Sequence, residues 1–181
     1  VSKFNISYKR IINHPTSWWF NIGNFGTSYV FWLFFTWLPK YLMDARHMDL
    51  KAAGWLTSLP FVAGIVAVPL GGYISDLLIK RGMNPIKARL IPAVWGSLLA
   101  GLFIIPVNYV DNIVMAEILI TLSTFCVSAR VGVLWALVGD ITPRDAVGTF
   151  GGIQNCANFV GGTLAPICTG YLLFYTADDY G

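Results

Sequence analysis

The sequence contains five long apolar stretches, each able to cross a lipid bilayer, separated by short connections. A hydrocarbon core of about 30 Å is crossed by about 20 helical residues, and nearly every residue belongs to such a stretch or to a connection. The predicted spans cover residues 18–43, 52–79, 88–108, 113–139 and 147–176. The sequence therefore predicts an all-α fold, a polytopic bundle of five transmembrane helices.

The composition agrees with a membrane protein. Apolar residues make up 56% of the chain and charged residues only 12%, against about 25% charged residues in soluble domains. The net charge is +3, and the basic residues flank the spans without forming one patch, so nucleic acid is not an expected partner. Cys126, Cys156 and Cys168 lie inside apolar stretches without metal-type spacing, so we expect no metal site and no cofactor.

The basic residues fall mostly on alternate connections and so predict the orientation of the chain. One side holds eight of them: Lys3, Lys9, Arg10, Lys80, Arg81, Lys87, Arg89 and Arg144. The other side holds Lys40, Arg46 and Lys51 in its first loop, none in its second, and Asp178 and Asp179 at the end. Because Lys and Arg accumulate in cytoplasmic loops, we expect a cytoplasmic N-terminus, with residues 1–17 as a cytoplasmic linker and residues 18–181 as the transmembrane bundle. The chain begins at Val1, and we expect it to be a fragment of a longer protein.

Helix start signals and prolines refine this prediction. Asp49 is expected to cap the second span, and Thr142 to cap the fifth, followed by Pro143 and Asp145 in its first turn. Four prolines fall inside apolar stretches, where each removes a backbone hydrogen bond and favours a kink: Pro60, Pro69, Pro92 and Pro166.

Three spans carry polar residues at helical spacing. They are Asn21, Asn24 and Ser28 in the first span; Thr121, Thr124, Ser128 and Trp135 in the fourth; and Gly151, Asn155, Asn158 and Gly162 in the fifth, with Gln154 beside them. Buried amides and hydroxyls need partners that lipid cannot supply. Two interpretations stay open for each residue, the wall of a polar cavity or a hydrogen bond between helices.

Arg130 is the only basic residue placed well inside a span. It stands ten residues before Asp140, which corresponds to a depth of about 15 Å, near the bilayer midplane. An arginine costs about 2.5–3.5 kcal/mol there, so a compensating partner is expected. Glu117, the one acid in the same span, is about 20 Å away along the helix axis. The partner is either an anionic ligand, which the guanidinium fork suits, or a carboxylate elsewhere in the protein. On an ideal helix the Arg130 side chain points away from the stripe formed by Thr121, Thr124, Ser128 and Trp135.

Several motifs resemble a known family. Gly72, Asp76, Lys80, Arg81 and Gly82 resemble the loop signature of the major facilitator superfamily. Residues 35–39 (FTWLP) and 135–140 (WALVGD), followed by Pro143, Gly148, Gly151, Gly152, Asn155 and Gly162, are similar to its anion:cation symporter branch, which carries sugar acids and other organic anions. The resemblance covers essentially the whole chain.

This resemblance implies that the five spans correspond to helices seven to eleven of a twelve-helix transporter in the cell (inner) membrane. The N-terminal half and the last helix of the same transporter would then be partners of this chain, together with the lipid bilayer. It also implies that the first and fourth spans line the central cavity. Combined with the polar stripes, it gives the candidate substrate-binding residues Arg130, Trp135, Asn155, Gln154, Asn158, Tyr29, Asn24 and Ser128. A gating role is expected for Asp76, Lys80, Arg81, Asp140 and Arg144, with solvated surface charge as the alternative.

The predicted function is a secondary active transporter of an organic anion, a sugar acid such as an aldonate, aldarate or hexuronate, by alternating access with protons, or else sodium, as the driving ion. Two alternatives are a non-transporting membrane receptor or scaffold on the same fold and an intramembrane enzyme. The enzyme is disfavoured because His14 and His47 lie in loops on opposite sides, and no HExxH or GxSxG sequence occurs.

Overall fold

The computed structural model describes residues 13–176, and this part of the chain is a bundle of five long helices. The helices are α1 (Pro15–Asp44), α2 (Leu50–Lys80), α3 (Pro85–Ile104), α4 (Ile113–Ile141) and α5 (Val147–Tyr175). Short 3-10 helices at Ile105–Tyr109 and Arg144–Ala146 follow α3 and precede α5. The predicted all-α bundle is confirmed. Lys3, Lys9, Arg10, Asp178 and Asp179 lie outside the described residues, as does most of the predicted linker, and α1 already begins at Pro15.

Four helices within residues 13–176 are long and apolar enough to cross a membrane: Leu50–Lys80, Pro85–Tyr109, Ile113–Ile141 and Arg144–Tyr175. Helix α1 has 30 residues, which is ample length for a crossing. It is not among the four because its amides, hydroxyls and charged end residues lower its hydropathy. Its assignment as the fifth span therefore depends on how it packs in the bundle.

The connection between α2 and α3 shows how the sequence turns the chain. Gly82 adopts a φ of 87° after the end of α2, a left-handed conformation that favours glycine. Its N–H donates to the Ile79 carbonyl and the Met83 N–H to the Leu78 carbonyl, the bonding pattern of a Schellman motif. Asn84 then caps α3, its side chain accepting from the Ile86 and Lys87 N–H groups. A very short loop results, so α2 and α3 are antiparallel neighbours.

The other helix starts follow the expected chemistry except for α5. Asp49 caps α2 as predicted, its carboxylate accepting from the Ala52 N–H. The predicted cap at Thr142 is wrong, because Thr142 closes α4 and Pro143 leads into the 3-10 turn. Helix α5 starts after Ala146 without a side-chain cap. The four predicted prolines all lie inside helices.

Helix α4 packs closely against α2 and α3, while α1 packs against α5. Glycines allow these approaches. A Cβ built on Gly71 of α2 would lie 1.9 Å from the carbonyl oxygen of Ala129 in α4. A Cβ on Gly161 of α5 would lie 2.9 Å from the carbonyl oxygen of Phe25 in α1. In lipid, such backbone proximity replaces the hydrophobic drive for helix association.

The α2–α4 and α1–α5 interfaces correspond to each other residue by residue. Gly64 faces Ser128, and Val68 faces Gly132. In the other interface Gln154 bonds Asn24, and Asn158 bonds Ser28. Equivalent contact residues have the same spacing along the chain in both interfaces. In α2 and α5, Gly64, Val68 and Gly71 correspond to Gln154, Asn158 and Gly161. In α4 and α1, Ser128, Ala129 and Gly132 correspond to Asn24, Phe25 and Ser28.

The equivalent helices, α1 with α4 and α2 with α5, run in opposite directions, so the bundle contains an internal repeat with inverted topology. The repeat also accounts for α1, since α1 occupies the same structural position as α4, a helix that is apolar enough to span. The polar residues of α1 and α5 replace small and apolar residues of α4 and α2 at equivalent places. Polarity is therefore concentrated on the α1–α5 side.

Replacing Gly71 by Ala is expected to destabilise the purified protein by about 1–3 kcal/mol, because the new Cβ would overlap the Ala129 carbonyl. Thermal unfolding in detergent measures this loss. Gly72→Ala is the matched control, since a Cβ at Gly72 meets nothing within 4 Å. Equal stability of the two variants would contradict the close packing of α2 on α4.

Candidate functional site

A cavity of about 220 Å³ lies where α1, α4 and α5 converge. Its lining includes six of the eight predicted binding residues, contributed by all three helices. The lining residues are Asn24, Thr27, Ser28, Phe31, Trp32, Val127, Arg130, Val131, Leu134, Trp135, Gln154, Asn155 and Asn158. The cavity wall therefore combines one cation, several amides and three aromatic rings.

Among the residues that the structure describes, Arg130 is the only charged one on this wall. Its residue surface is only 7% exposed. No carboxylate within residues 13–176 lies at ion-pairing distance from its guanidinium. An ideal helix predicts that Arg130 points away from Trp135, but both residues line the same cavity. A buried guanidinium without an acid nearby is suited to bind an anion in the cavity or a carboxylate from beyond the described residues.

The amides of α1 and α5 serve two purposes at once. Asn24 Nδ2 donates to the main-chain carbonyl oxygen of Gln154 at 3.1 Å, and Ser28 Oγ donates to Asn158 Oδ1. These bonds join the two helices, as the helix-to-helix interpretation of the stripes proposes. The same residues line the cavity, and Gln154 Oε1 is buried without a hydrogen-bond partner in the described chain. Asn155 lines the cavity and is exposed, so its amide is available to a ligand.

Two predicted binding residues lie away from this cavity. Ser128 is buried against α2, where its Oγ is 3.1 Å from the Cβ position of Gly64. Tyr29 packs its ring near Phe25, with centroids 6.4 Å apart, and its backbone N lies close to Gly161. Neither belongs to the cavity lining. The family resemblance and helical spacing together predicted Ser128 on the cavity side, but α4 is rotated so that Ser128 faces α2 while Trp135 lines the cavity.

Three lining residues of α1 were not predicted: Thr27, Phe31 and Trp32. They continue the face that begins at Asn24, and this periodicity was the available signal. Trp32 also packs against α5, where its ring lies so close to Gly162 that a Cβ built on this glycine would be 2.8 Å from the ring. The ring of Trp135 lies against Gly151 in the same manner, 3.2 Å from the Cβ position. Glycines of α5 thus make room for two indoles at the cavity.

A cluster of charges joins three helices at the end of the bundle where α2 and α4 finish. Arg89 of α3 donates to Asp140 of α4 through Nε, and its Nη1 lies 3.4 Å from both Asp76 Oδ1 and Ser75 Oγ of α2. The Arg89 side chain is 15% exposed, compared with 61% for Asp76 and 33% for Asp140. We call these four residues the Arg89 cluster.

The expected partners of the two acids differ from the observed one. Asp76 does meet a basic side chain, but that side chain is Arg89 and neither Lys80 nor Arg81. Asp140 likewise pairs with Arg89 and not with Arg144. Within residues 13–176, Lys80, Arg81 and Arg144 form no ion pair. Sequence reasoning treated Arg89 as a loop charge, and only the three-dimensional packing places it between two helix ends.

A family model described as Major Facilitator Superfamily matches residues 3–172. The chain belongs to the major facilitator superfamily. This superfamily chain is thus a multi-pass membrane protein, in agreement with its apolar helices.

Relatives of this superfamily chain carry names of organic-anion transporters. It is 32% identical to the "Probable L-galactonate transporter" of Escherichia coli over 92% of its own length and 37% of the relative. It is 34% identical to the D-galactonate transporter of another Escherichia coli strain, over 88% of the chain and 36% of the relative. It is 39% identical to the "Probable sulfoacetate transporter" of Cupriavidus necator, over 86% and 36%. The chain spans about a third of the length of these relatives.

Arg89→Gln is expected to lower the stability of the purified protein by on the order of 1 kcal/mol, because it removes the charged contacts of α3 with the ends of α2 and α4. The loss is expected to shrink in high salt, which screens exposed charges. Lys87→Gln is the control, since Lys87 is exposed and forms no ion pair within residues 13–176. Thermal unfolding that is identical for both variants would show that the Arg89 cluster contributes nothing.

Proposed function

We propose that the complete protein is a secondary active transporter of organic anions, with sugar acids as the substrate class. The single observation that carries this proposal is Arg130, a buried guanidinium on a cavity wall without a carboxylate partner in the described chain. Galactonate and sulfoacetate, named for the relatives, are anions of very different polarity. A negatively charged group is what they share, which fits recognition by a guanidinium.

The cavity offers complementary contacts for the rest of a sugar acid. Arg130 would bind the carboxylate in a bidentate manner. The amides of Asn155, Asn158 and Gln154 would bind hydroxyl groups, and Trp135 would cover the apolar face of the carbon chain. Asn24 would hold Gln154 in place from α1. Ser128 and Tyr29, which lie outside the lining, would act through packing.

Transport requires that the cavity open to each side in turn. We propose that the Arg89 cluster keeps the ends of α2, α3 and α4 together in one of these states and separates or shifts in the other. Asp76 and Asp140 would then be gate residues through Arg89, while Lys80, Arg81 and Arg144 would act as topology charges or pair with residues beyond this chain. With this end cytoplasmic, the chain would have a cytoplasmic N-terminus in the inner membrane. Protons, or else sodium, would drive uptake.

The complete protein would also supply an N-terminal half and a last helix. The internal repeat indicates where that last helix would pack, because α3 of the first repeat has its counterpart in the helix that would follow α5. Helix α3 packs on α4 through Gly96, whose Cβ would lie 2.7 Å from the Cys126 carbonyl oxygen. The residue of α1 equivalent to Cys126 is Ile22, which is 54% exposed. Ile22 lines an apolar groove of about 550 Å³ between α1 and α5, which also includes Phe25, Ile153, Cys156 and Val160. A helix following α5 would fill this groove as α3 covers α4.

Two other function classes have less support. A receptor or scaffold on this fold would bind the anion without moving it, and counterflow in proteoliposomes separates the two cases, because only a carrier exchanges labelled for unlabelled substrate. An intramembrane enzyme has no support from the family or from the names of the relatives, all of which are transporters.

Uptake of sugar acids by the complete protein is expected to depend on Arg130. Arg130→Lys keeps the charge but loses the fork, so the KM should rise by about 10-fold or more; Arg130→Gln should nearly abolish uptake, as charge-assisted hydrogen bonds contribute about 1.5–3 kcal/mol. Lys51→Gln, at an exposed lysine, is the control for loss of one positive charge. Normal uptake by both Arg130 variants would remove this residue from the site.

The proposed position of the last helix has its own test. In the complete protein Ile22→Trp is expected to lower thermal stability by about 1–3 kcal/mol, because a covered face cannot accept a larger side chain. Leu102→Trp is the control, at a residue of α3 that is 62% exposed and that would face lipid. If both variants are equally stable, Ile22 faces lipid and the proposed docking groove is empty.

A further inference from the structure

The cavity has an aromatic wall that the proposed contacts with a sugar acid do not use. Trp32 of α1 lines the cavity, as does its neighbour Phe31, whose ring meets it edge-on with centroids 6.1 Å apart. The centroid of the Trp32 ring also lies 5.5 Å from that of Phe35 in α1 and 6.3 Å from that of Phe159 in α5. Aromatic rings at these distances attract one another beyond the effect of burial alone. Three neighbouring rings therefore hold the indole of Trp32 at the edge of the cavity.

Gly162 of α5 is the seat of this indole. A Cβ built on Gly162 would lie 2.8 Å from both Cδ1 and Nε1 of Trp32 and 3.0 Å from its Cγ. These atoms belong to the rigid ring at its attachment to the side chain, so no small rotation of a flexible tip could relieve the overlap. The whole ring would have to shift, and the cavity is its open side. Gly162 therefore decides how far the indole withdraws from the cavity toward α5.

A second glycine of α5 faces a tryptophan of α1 without such a constraint. A Cβ on Gly170 would lie 3.5 Å from the ring of Trp37, which is an ordinary van der Waals distance. Trp37 is not part of the cavity lining. The tight seat thus occurs where the indole borders the cavity, and the pair of Gly170 and Trp37 provides a matched comparison for it.

Trp32 and Trp135 stand at opposite ends of the cavity. Their seats in α5, Gly162 and Gly151, are eleven residues apart, which corresponds to about 16 Å along the helix axis. Arg130 comes five residues before Trp135 in α4, and because α4 and α5 are antiparallel, it lies about 7.5 Å from Trp135 toward the level of Gly162. The guanidinium therefore belongs to a level between the two indoles, and an anion held there has one ring at each end.

We propose that Trp32 determines the chain length of the sugar acid that the transporter accepts, and that Gly162 is a positioning residue that sets the place of its ring. Arg130 anchors the carboxylate. The carbon chain runs toward Trp32, because the amide of Asn158 lies on that side, about one helical turn before Gly162. The far carbons of a six-carbon acid reach the indole, whereas a three-carbon acid stays clear of it. The inference rests on the proposed function, since it needs Arg130 as the anchor.

The test uses the complete protein in proteoliposomes, with galactonate as the six-carbon probe and glycerate as the three-carbon probe. Gly162→Ala pushes the indole toward the anion, so the KM for galactonate should rise by about tenfold or more. The inhibition constant of glycerate against galactonate uptake should stay nearly unchanged, because the short acid does not reach the ring. Gly170→Ala is the matched control, since its new Cβ has room beside Trp37, and it should leave both constants as they are.

Trp32→Leu is the second arm of the test. Combined with Gly162→Ala, it should return the KM for galactonate to near the value of the unmodified protein, because the smaller side chain leaves room for the new methyl group. By itself it should admit a longer acid. Lactobionate, a gluconate that carries a second sugar, should then inhibit galactonate uptake by Trp32→Leu but not by the unmodified protein. A merely structural role of Trp32 would weaken uptake of every acid alike.

Two results with Gly162→Ala would overturn the proposal. One is an equal loss of affinity for galactonate and glycerate, and the other is a double variant that binds galactonate no better than Gly162→Ala does. If Gly162→Ala does not fold, Trp32→Leu decides alone. Lactobionate that affects this variant and the unmodified protein equally would contradict a length limit set by the indole.

The outcomes separate this inference from the proposed function. Galactonate uptake that depends on Arg130, together with an unchanged preference for chain length in the Trp32 and Gly162 variants, would reject the role of the indole alone. An unmodified protein that takes up no sugar acid would reject the proposed function, and the length limit with it.

Discussion

Inside a lipid-embedded bundle, every polar group must find its partner within the protein, and this constraint explains most of the structure. Backbone groups meet it by forming helices. Asn24 and Ser28 meet it across the α1–α5 interface, and Ser123 meets it by donating to the Ala100 carbonyl oxygen of α3 at 2.9 Å. Within residues 13–176, Gln154 Oε1 is among the buried polar atoms without a hydrogen-bond partner, and the Arg130 guanidinium has no acid at ion-pairing distance. Both lie on the cavity wall, where a bound anion would complete the chemistry.

The internal repeat shows how one packing solution was adapted to two tasks. In the α2–α4 interface, Gly64, Gly71 and Gly132 bring backbones together without polar side chains on α2. In the equivalent α1–α5 interface, Gln154, Asn158 and Asn24 take the positions of Gly64, Val68 and Ser128. There the Asn24 side chain donates to the Gln154 main-chain carbonyl oxygen, and Ser28 donates to the Asn158 side chain. The close approach is retained at Gly161. A polar cavity wall can thus be built without loosening the bundle, because the amides that line it also hold its helices.

The two ends of the bundle are closed by different interactions. One end is tied by Arg89 between Asp76 and Asp140, a charged contact that water can partly reach. The opposite end is closed by apolar side chains around Leu42 and Ala53. Because salt screens charges, it is expected to weaken the Arg89 cluster and to leave the apolar closure unchanged. An alternating-access cycle needs such independent closures, since only one end opens at a time.

The sequence by itself determined the helices, because hydrophobic length and turn residues are local properties. The predicted span at 113–139 and the observed α4 start at the same residue, and Asp49 caps α2 as the sequence predicted. The sequence also singled out Arg130, since a charge in an apolar stretch is visible without a structure. The resemblance to the superfamily placed Trp135 and Asn155 in the site, and the structure puts both on the cavity wall.

Only the tertiary structure decided which partners meet. The rotation of each helix about its axis is set by backbone contacts such as Gly71 with Ala129, and a rotation of a few tens of degrees exchanges one helical face for another. For this reason Ser128 faces α2, Thr27 and Trp32 reach the cavity, and Arg89 replaces the nearby loop cations as the partner of Asp76. Long-range pairing depends on the sum of all helix contacts, which no single segment of the sequence encodes.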